Sequence, residues 1–322
     1  MIKLYLLSAI VAFALSFVFC LVLIPLLRRM KAGQNILSYV KEHKKKSGTP
    51  TMGGIAFIAA AVIAAAIFIA QTQERASKSL LITLAVGLSY MAVGLLDDFL
   101  KMRHKENLGL RAWQKFLFQS AIALFCGIYC YRAGLTTLKI PFVGAEWKIG
   151  WGIIPFCAFV FLGTVNAVNL TDGLDGLAAG TCVPFFAVLG VLIAIGGERE
   201  NMALVSFSLA GALVGYLLFN VSPASVFMGD TGSLSLGGFA AALAMFTGNA
   251  LYIAVLGACF VFSVISVLVQ VIYYKVTHGK RVFLMAPVHH HFQQKGYSES
   301  KISYAYSTIT LLLGVLCVLT AF

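Results

Sequence analysis

The sequence predicts an all-α polytopic membrane protein, and three observations carry that expectation. Its residues are 60% hydrophobic and only 11% charged, and the mean hydropathy is +0.91. Ten apolar runs of roughly membrane-crossing length recur along the chain. No soluble core of a 322-residue chain hides that much apolar surface, and a bilayer is the solvent that accepts it.

The runs are Leu4 to Leu27, Gly53 to Ala70, Leu80 to Leu96, Phe116 to Tyr131, Trp151 to Val168, Leu177 to Ile195, Ala203 to Phe219, Leu234 to Phe246, Leu251 to Tyr274 and Ile302 to Phe322. Pro25, Arg28, Arg29 and Lys31 close the first run where a secretory leader would carry small residues, so a retained span is expected there. The eighth run is short and bounded by Gly248-Asn249, and the ninth is long enough to tilt, kink or protrude. Between the fourth and fifth runs, residues 133 to 150 hold two short strand-like segments around Gly144, which suit a small hairpin. Neither repeats nor a composition shift marks a second domain, so 1–322 reads as one integral membrane domain.

Charge sets the orientation. Loops 28 to 52, 97 to 115 and 275 to 301 hold seventeen of the 24 Lys and Arg residues. The positive-inside rule then puts those loops in the cytoplasm and both termini outside. The same sorting places all 6 histidines and eight of the 12 acids on the cytoplasmic side. A net charge of +12 without any nucleic-acid motif fits membrane orientation and anionic lipid or substrate, not nucleic acid. The 7 cysteines lie in apolar runs without a Cys-x-x-Cys pair and read as small buried hydrophobes.

Acids at helix ends are the candidate chemistry, because a carboxylate beside a membrane span loses hydration unless it holds a cation or a polar ligand. Asn166-Ala-Val-Asn169-Leu-Thr-Asp172-Gly-Leu-Asp175-Gly176 is the richest such stretch, and capping alone would need only one of its polar side chains. Asp97-Asp98 closes the third run, where a pair of negative charges opposes the helix dipole. Asp230 sits in the Gly-rich Phe227-Met-Gly-Asp-Thr-Gly-Ser connection. Three such loops on one face can supply the sparse carboxylates that Mg²⁺ uses, with substrate phosphates supplying the rest. Lys46-Ser-Gly-Thr-Pro-Thr51-Met-Gly-Gly offers hydroxyls and N–H groups to an anionic ligand but lacks the Gly-Lys-Ser/Thr order of a P-loop. His289-His290-His291 lacks the spacing of a zinc site and suits hydrogen bonds to polar or phosphate groups.

Pro50-Thr-Met-Gly-Gly, Asp97-Asp98, Asn169-Leu-Thr-Asp172-Gly-Leu-Asp175-Gly, Phe227-Met-Gly-Asp230-Thr-Gly-Ser and Pro287-Val-His289-His290-His291-Phe, in this order, resemble the motifs of the phospho-N-acetylmuramoyl-pentapeptide transferases. That family lies within the polyprenyl-phosphate N-acetylhexosamine 1-phosphate transferases, and the resemblance spans nearly the whole chain. It implies transfer of phospho-N-acetylmuramoyl-pentapeptide from UDP-N-acetylmuramoyl-pentapeptide to undecaprenyl phosphate, giving lipid I and UMP with Mg²⁺. It also implies a homodimer in the bacterial cytoplasmic membrane, with its active site on the cytoplasmic face. By matching position, Asp230 would bind Mg²⁺, and Asp97 would orient or deprotonate the lipid phosphate with support from Asp98. An aspartyl-phosphate route through Asp97 is the alternative. Lys46, Thr51, Asn169, Asp172, Asp175, Asn220 and Phe227 would form the nucleoside and sugar pocket, with Phe227 on uracil. Lys101, Lys115, His289, His290 and His291 would meet phosphates or the muramoyl peptide. Two rival readings are a UDP-N-acetylglucosamine transferase and an anionic-solute transporter. Transport is disfavoured because the acids cluster at helix ends instead of the midplane.

Overall fold

The computed structural model describes residues 1–30, 48–72, 77–104, 109–197 and 199–321. Within a bilayer every backbone N–H and C=O must be satisfied inside its own segment, so long apolar runs become helices. The main helices are α1 (Ile2–Arg29), α2 (Gly54–Ile69), α3 (Lys78–His104), α4 (Ala112–Arg132), α5 (Ile153–Thr171), α6 (Leu177–Gly196), α7 (Glu200–Asn220) and α8 (Gly229–Phe246). The short α9 (Tyr252–Leu256), α10 (Ala258–Val276), the short α11 (Val288–Gln294) and α12 (Glu299–Leu319) follow.

Among the described residues, seven helices are long and apolar enough to cross a membrane, which makes this a multi-pass membrane protein. They are α1, α3, α5 with the turn before it, α6, α7, α10 and α12. The runs expected as the second, fourth and eighth spans also fold as helices, but α2 has 16 residues, α4 begins with the polar Gln114 and Lys115, and α8 begins with Asp230, Thr231 and Ser233. The ninth run does not form one helix. It breaks between α9 and α10 at Gly257, where an added Cβ would come within 2.6 Å of the Ile253 carbonyl oxygen. The small hairpin forms as expected: β1 (Thr137–Lys139) pairs antiparallel with β2 (Glu146–Lys148), Lys139 opposite Glu146. All seven cysteines are free and buried.

Helix α8 is the axis on which the site depends. It is buried almost all round, with α3 and α5 against its sides and α2 across its start. Small residues let these backbones close on one another, as they do between membrane helices generally. At Gly94 of α3 an added Cβ would run into the Asp230 carbonyl oxygen. The α3–α8 crossing therefore fixes where Asp230 stands. Gly94→Ala is expected to push the start of α8 away, at a cost of about 1–3 kcal/mol for the forced overpacking. A lower unfolding midpoint in detergent together with lost turnover would register it.

Candidate active site

Helix geometry brings the two halves of the acid pair to different tasks. Successive residues on a helix point about 100° apart, so Asp97 and Asp98 cannot share a direction. Asp98 is fully buried and turns to the start of α8. Its carboxylate accepts from the Asp230 N–H at 3.2 Å, the Thr231 N–H at 2.9 Å and the Thr231 hydroxyl at 2.7 Å. It thus satisfies free donors at a helix N-terminus, where negative charge is also favoured by the dipole.

Asp97 faces the pocket. Its Oδ2 lies 2.6 Å from Lys101 Nζ and 3.3 Å from Lys115 Nζ, while its Oδ1 accepts from the Leu110 N–H at 2.8 Å. The chain passes so closely there that a Cβ on Gly109 would stand 2.5 Å from Asp97 Oδ1. Asp230 Oδ2 meets the same two ammonium groups, Lys101 at 3.0 Å and Lys115. Asn169, in the last turn of α5, donates from one Nδ2 to Asp230 Oδ1 at 2.8 Å and to Ser233 Oγ at 2.8 Å.

One oxygen from each of Asp97, Asp98 and Asp230 lies within 4.8 Å of the others, a group that could hold a metal ion. All the donors are carboxylate oxygens, which suits a hard divalent cation. Burial alone would raise the Asp230 pKa. A hydrogen bond with Asp97 and the charges of Lys101 and Lys115 outweigh it and hold Asp230 well below the usual carboxylate range. Burial pushes Asp172 the other way, well above that range, with the negative charges of Asp230, Asp98 and Asp175 adding to it.

The Pro50–Gly54 segment reaches the site by backbone pairing. The Phe227 N–H donates to the Pro50 carbonyl, and the Gly53 and Gly54 N–H groups donate to the Phe227 and Met228 carbonyls. Thr51 is buried, and its hydroxyl lies 2.6 Å from where a Cβ on Gly229 would stand, beside Asp98. Phe227 is partly exposed. Asp175 and Asn220 organise the loop that carries it. Asp175 Oδ2 accepts from the Ala224 N–H at 3.0 Å. Asn220 accepts from the Gly176 N–H at 3.1 Å and donates to the Val226 carbonyl at 2.9 Å.

The histidines divide. His289 is fully buried, and burial, with His290 alongside, pushes its pKa down to about 3, so it is neutral at ordinary pH. The Nε2 atoms of His289 and His290 lie 2.7 and 2.8 Å from where a Cβ on Gly173 would be, so only a glycine fits between Asp172 and Leu174. His291 is turned away, its Nδ1 accepting from the Leu284 N–H at 3.1 Å and its ring against Phe283. Lys46 lies outside the described residues.

The structure adds residues that the motifs did not single out. Glu299 accepts from the Asp175 N–H at 2.8 Å and from Gln293 Nε2 at 3.2 Å, and Gln293 Oε1 meets His290 Nδ1 at 3.0 Å. This chain of contacts ties α11 and the start of α12 to the Asp172–Gly176 loop. In sequence Glu299 reads as an ordinary first-turn acid after the Ser298 cap. Ser233 and Thr231 show no signal beyond their place in the Gly-rich connection. Asn169→Ala removes the bond that aims Asp230 and is expected to lower kcat/KM about tenfold, the value of one hydrogen bond to a charged group. A rise in the divalent-cation concentration needed for half-maximal rate would accompany it.

Membrane helices ending in a cluster of acids and lysines, three of whose carboxylates could hold a metal ion, define a polytopic membrane protein with a charged site at one end of its bundle. The model for glycosyl transferase family 4 matches residues 80–248, and signature 1 of the phospho-N-acetylmuramoyl-pentapeptide transferases matches residues 46–58. The chain is 44% identical over 312 residues to the phospho-N-acetylmuramoyl-pentapeptide transferase of Listeria innocua, covering 96% of this chain and 95% of that one. It is likewise 44% identical over 313 residues to that of Clostridium novyi, covering 95% and 93%, and 42% identical over 311 residues to that of Bacillus pumilus, covering 96% and 95%. The chain belongs to the phospho-N-acetylmuramoyl-pentapeptide transferases of glycosyl transferase family 4.

Proposed function

We propose that this chain transfers phospho-N-acetylmuramoyl-pentapeptide from UDP-N-acetylmuramoyl-pentapeptide to undecaprenyl phosphate, yielding lipid I and UMP for peptidoglycan synthesis. The observation that carries this reading is the convergence of Asp97 and Asp230 on Lys101 and Lys115 where helices α3, α4, α5 and α8 begin or end. A lipid phosphate confined to the bilayer and a soluble nucleotide meet only at such a boundary.

A phosphate oxygen of the lipid attacks the sugar-bearing phosphorus of the UDP substrate, and the bond to the UMP oxygen breaks. Such a transfer needs positioning and charge neutralisation more than covalent chemistry from the protein. Asp230, with Asp97, would hold Mg²⁺, which when bound neutralises diphosphate charge as UMP leaves. Asp97 orients the incoming lipid phosphate, already largely dianionic near neutral pH. Lys101 and Lys115 meet phosphate oxygens from the two sides of the acid pair. Asp98 acts through α8, by fixing the backbone of Asp230. Phe227 offers its ring to uracil, while Thr51, Asn169 and Asp172 line the nucleotide and sugar side, to which Lys46 is assigned by its matching position alone. His289 and His290 border that pocket at Gly173 and face the muramoyl peptide, with His291 supporting their loop. Asp175 and Asn220 shape the pocket by holding its loops.

The same reading gives ten spans with both termini outside, a catalytic face in the cytoplasm of a bacterial inner membrane, and a homodimer. Membranes expressing the chain, incubated with undecaprenyl phosphate and either radiolabelled UDP-N-acetylmuramoyl-pentapeptide or UDP-N-acetylglucosamine, test it. Label is expected in lipid from the muramoyl substrate alone. Label from UDP-N-acetylglucosamine alone would assign the chain to the other sugar.

A further inference from the structure

A second polar cavity lies at the far end of the bundle. Helix α4 starts beside Asp230 through Lys115 and runs 21 residues to Arg132, about 31 Å at the helical rise. Helices α6, α8 and α12 also begin at the acidic site and end at this far side. Here β1 is bolted to the end of α8 by the Lys139 N–H donating to the Gly248 carbonyl at 2.8 Å. Under the hairpin is a cavity of about 180 Å³, bordered by Lys139, Glu146, Ile195, Asn249, Tyr252 and Thr320 among others, far more than one ordered water needs.

Lys139 and Glu146 are direct cross-strand partners. Opposite charges in that relation ordinarily meet, but among the described residues these two form no ion pair. Lys139 instead arches over Gly248 towards Gly196, where a Cβ would come within 2.7 Å of its Nζ. An ammonium and a carboxylate therefore stand apart on one cavity, with the apolar Leu192, Ile195 and Ala321 in the same wall. The surface around it is aromatic and apolar: Phe142, Val143, Trp147 and Trp151 are all exposed, the composition of a membrane–water interface.

We propose that this cavity binds the headgroup of a zwitterionic phospholipid, with the phosphate at Lys139, the headgroup ammonium at Glu146 and the glycerol end along Leu192 and Ile195. The split charge pair selects a ligand carrying both signs over a simple anion, and the apolar wall and aromatic rim select a lipid over a soluble phosphate. The site is separate from the transferase pocket and does not depend on the sugar transferred there.

Native mass spectrometry on the delipidated full-length protein tests it, using dioleoyl phosphatidylethanolamine, dioleoyl phosphatidylglycerol and soluble phosphoethanolamine as probes. The wild type is expected to retain phosphatidylethanolamine over phosphatidylglycerol. Lys139→Gln should weaken its retention roughly fivefold, the size of one partly exposed ion pair. Lys139→Arg should restore it, and Glu146→Gln should abolish the preference between the two lipids. Transferase turnover reports that each variant is folded, and Glu146→Gln, at an exposed side chain, carries the test alone if Lys139→Gln is not. Equal retention of both lipids by the wild type and Glu146→Gln would overturn the proposal, as would soluble phosphoethanolamine binding as tightly as the lipid.

Discussion

Asp230→Asn is expected to cut formation of the lipid product by about a thousandfold, the scale on which a single charge-stabilising group acts in phosphoryl transfer. The substitution keeps size and hydrogen-bonding reach but removes the charge that faces Lys101 and Lys115 and that completes the group of acids with Asp97 and Asp98. Its backbone N–H still donates to Asp98, so α8 keeps its start and the unfolding midpoint should hardly move. Steady-state kinetics across a titration of Mg²⁺ read the effect. The loss belongs in kcat, and high Mg²⁺ restores little of it because the ligand itself is gone. A variant retaining a tenth or more of wild-type turnover would show that Asp230 does not take part in the chemistry.

The second large effect separates two adjacent residues. Asp98→Ala strips three acceptor contacts from the start of α8 and leaves buried donors without a partner, at a cost of about 1–3 kcal/mol for such a group. Both stability and turnover are expected to fall, because Asp230 is carried on the backbone that Asp98 holds. Asp97→Asn should behave differently, losing turnover about a hundredfold or more with its fold intact. Lys101 and Lys115 keep Asp230 as a partner, and the introduced amide oxygen can still accept from the Leu110 N–H. Measured side by side, unfolding midpoints and kcat distinguish a group that holds the site from one that meets the substrate. Matching losses of stability in both variants would contradict this division.

The resemblance already gave Asp97 the substrate role and Asp98 a supporting one, but how Asp98 lends that support, through the start of α8, was beyond the sequence, which shows Asp97-Asp98 only as a pair at the end of an apolar run. The helical rotation between neighbours decides which carboxylate enters the pocket, and the rotation acquires meaning only once α8 is in place. The apolar runs themselves were legible, because a bilayer requires length and hydropathy that few other features mimic. The hairpin around Gly144 was legible for a similar reason, as two short strand-like segments flanking a turn. The position of the break at Gly257 was not, since the residues on both sides are equally apolar and the interruption shows only in the non-helical backbone of Gly257, at φ −93° and ψ 22°.

The site shows the same contrast. Polar residues at helix ends announced themselves by being costly beside a membrane, and Asp97, Lys101, Lys115, Asn169 and Asp230 do meet. Their partners did not announce themselves. Asp175 belongs to a motif and Asn220 was assigned to the pocket by matching position, but their buried polar groups bind the backbone of the loop bearing Phe227. Glu299 and Gln293 join the His290 side of the pocket to the Asp175 loop from more than a hundred residues away in sequence. Pairings at such separation leave no local pattern in composition or periodicity.

All of this depends on separate loops assembling one site for a divalent cation. The most direct measurement is the paramagnetic resonance of Mn²⁺ titrated into the purified full-length protein and into Asp230→Asn. One bound Mn²⁺ per chain is expected in the wild type, displaced by Mg²⁺ and lost or greatly weakened in the variant. Equally tight Mn²⁺ binding in Asp230→Asn, or none in the wild type with UDP-N-acetylmuramoyl-pentapeptide present, would contradict the account.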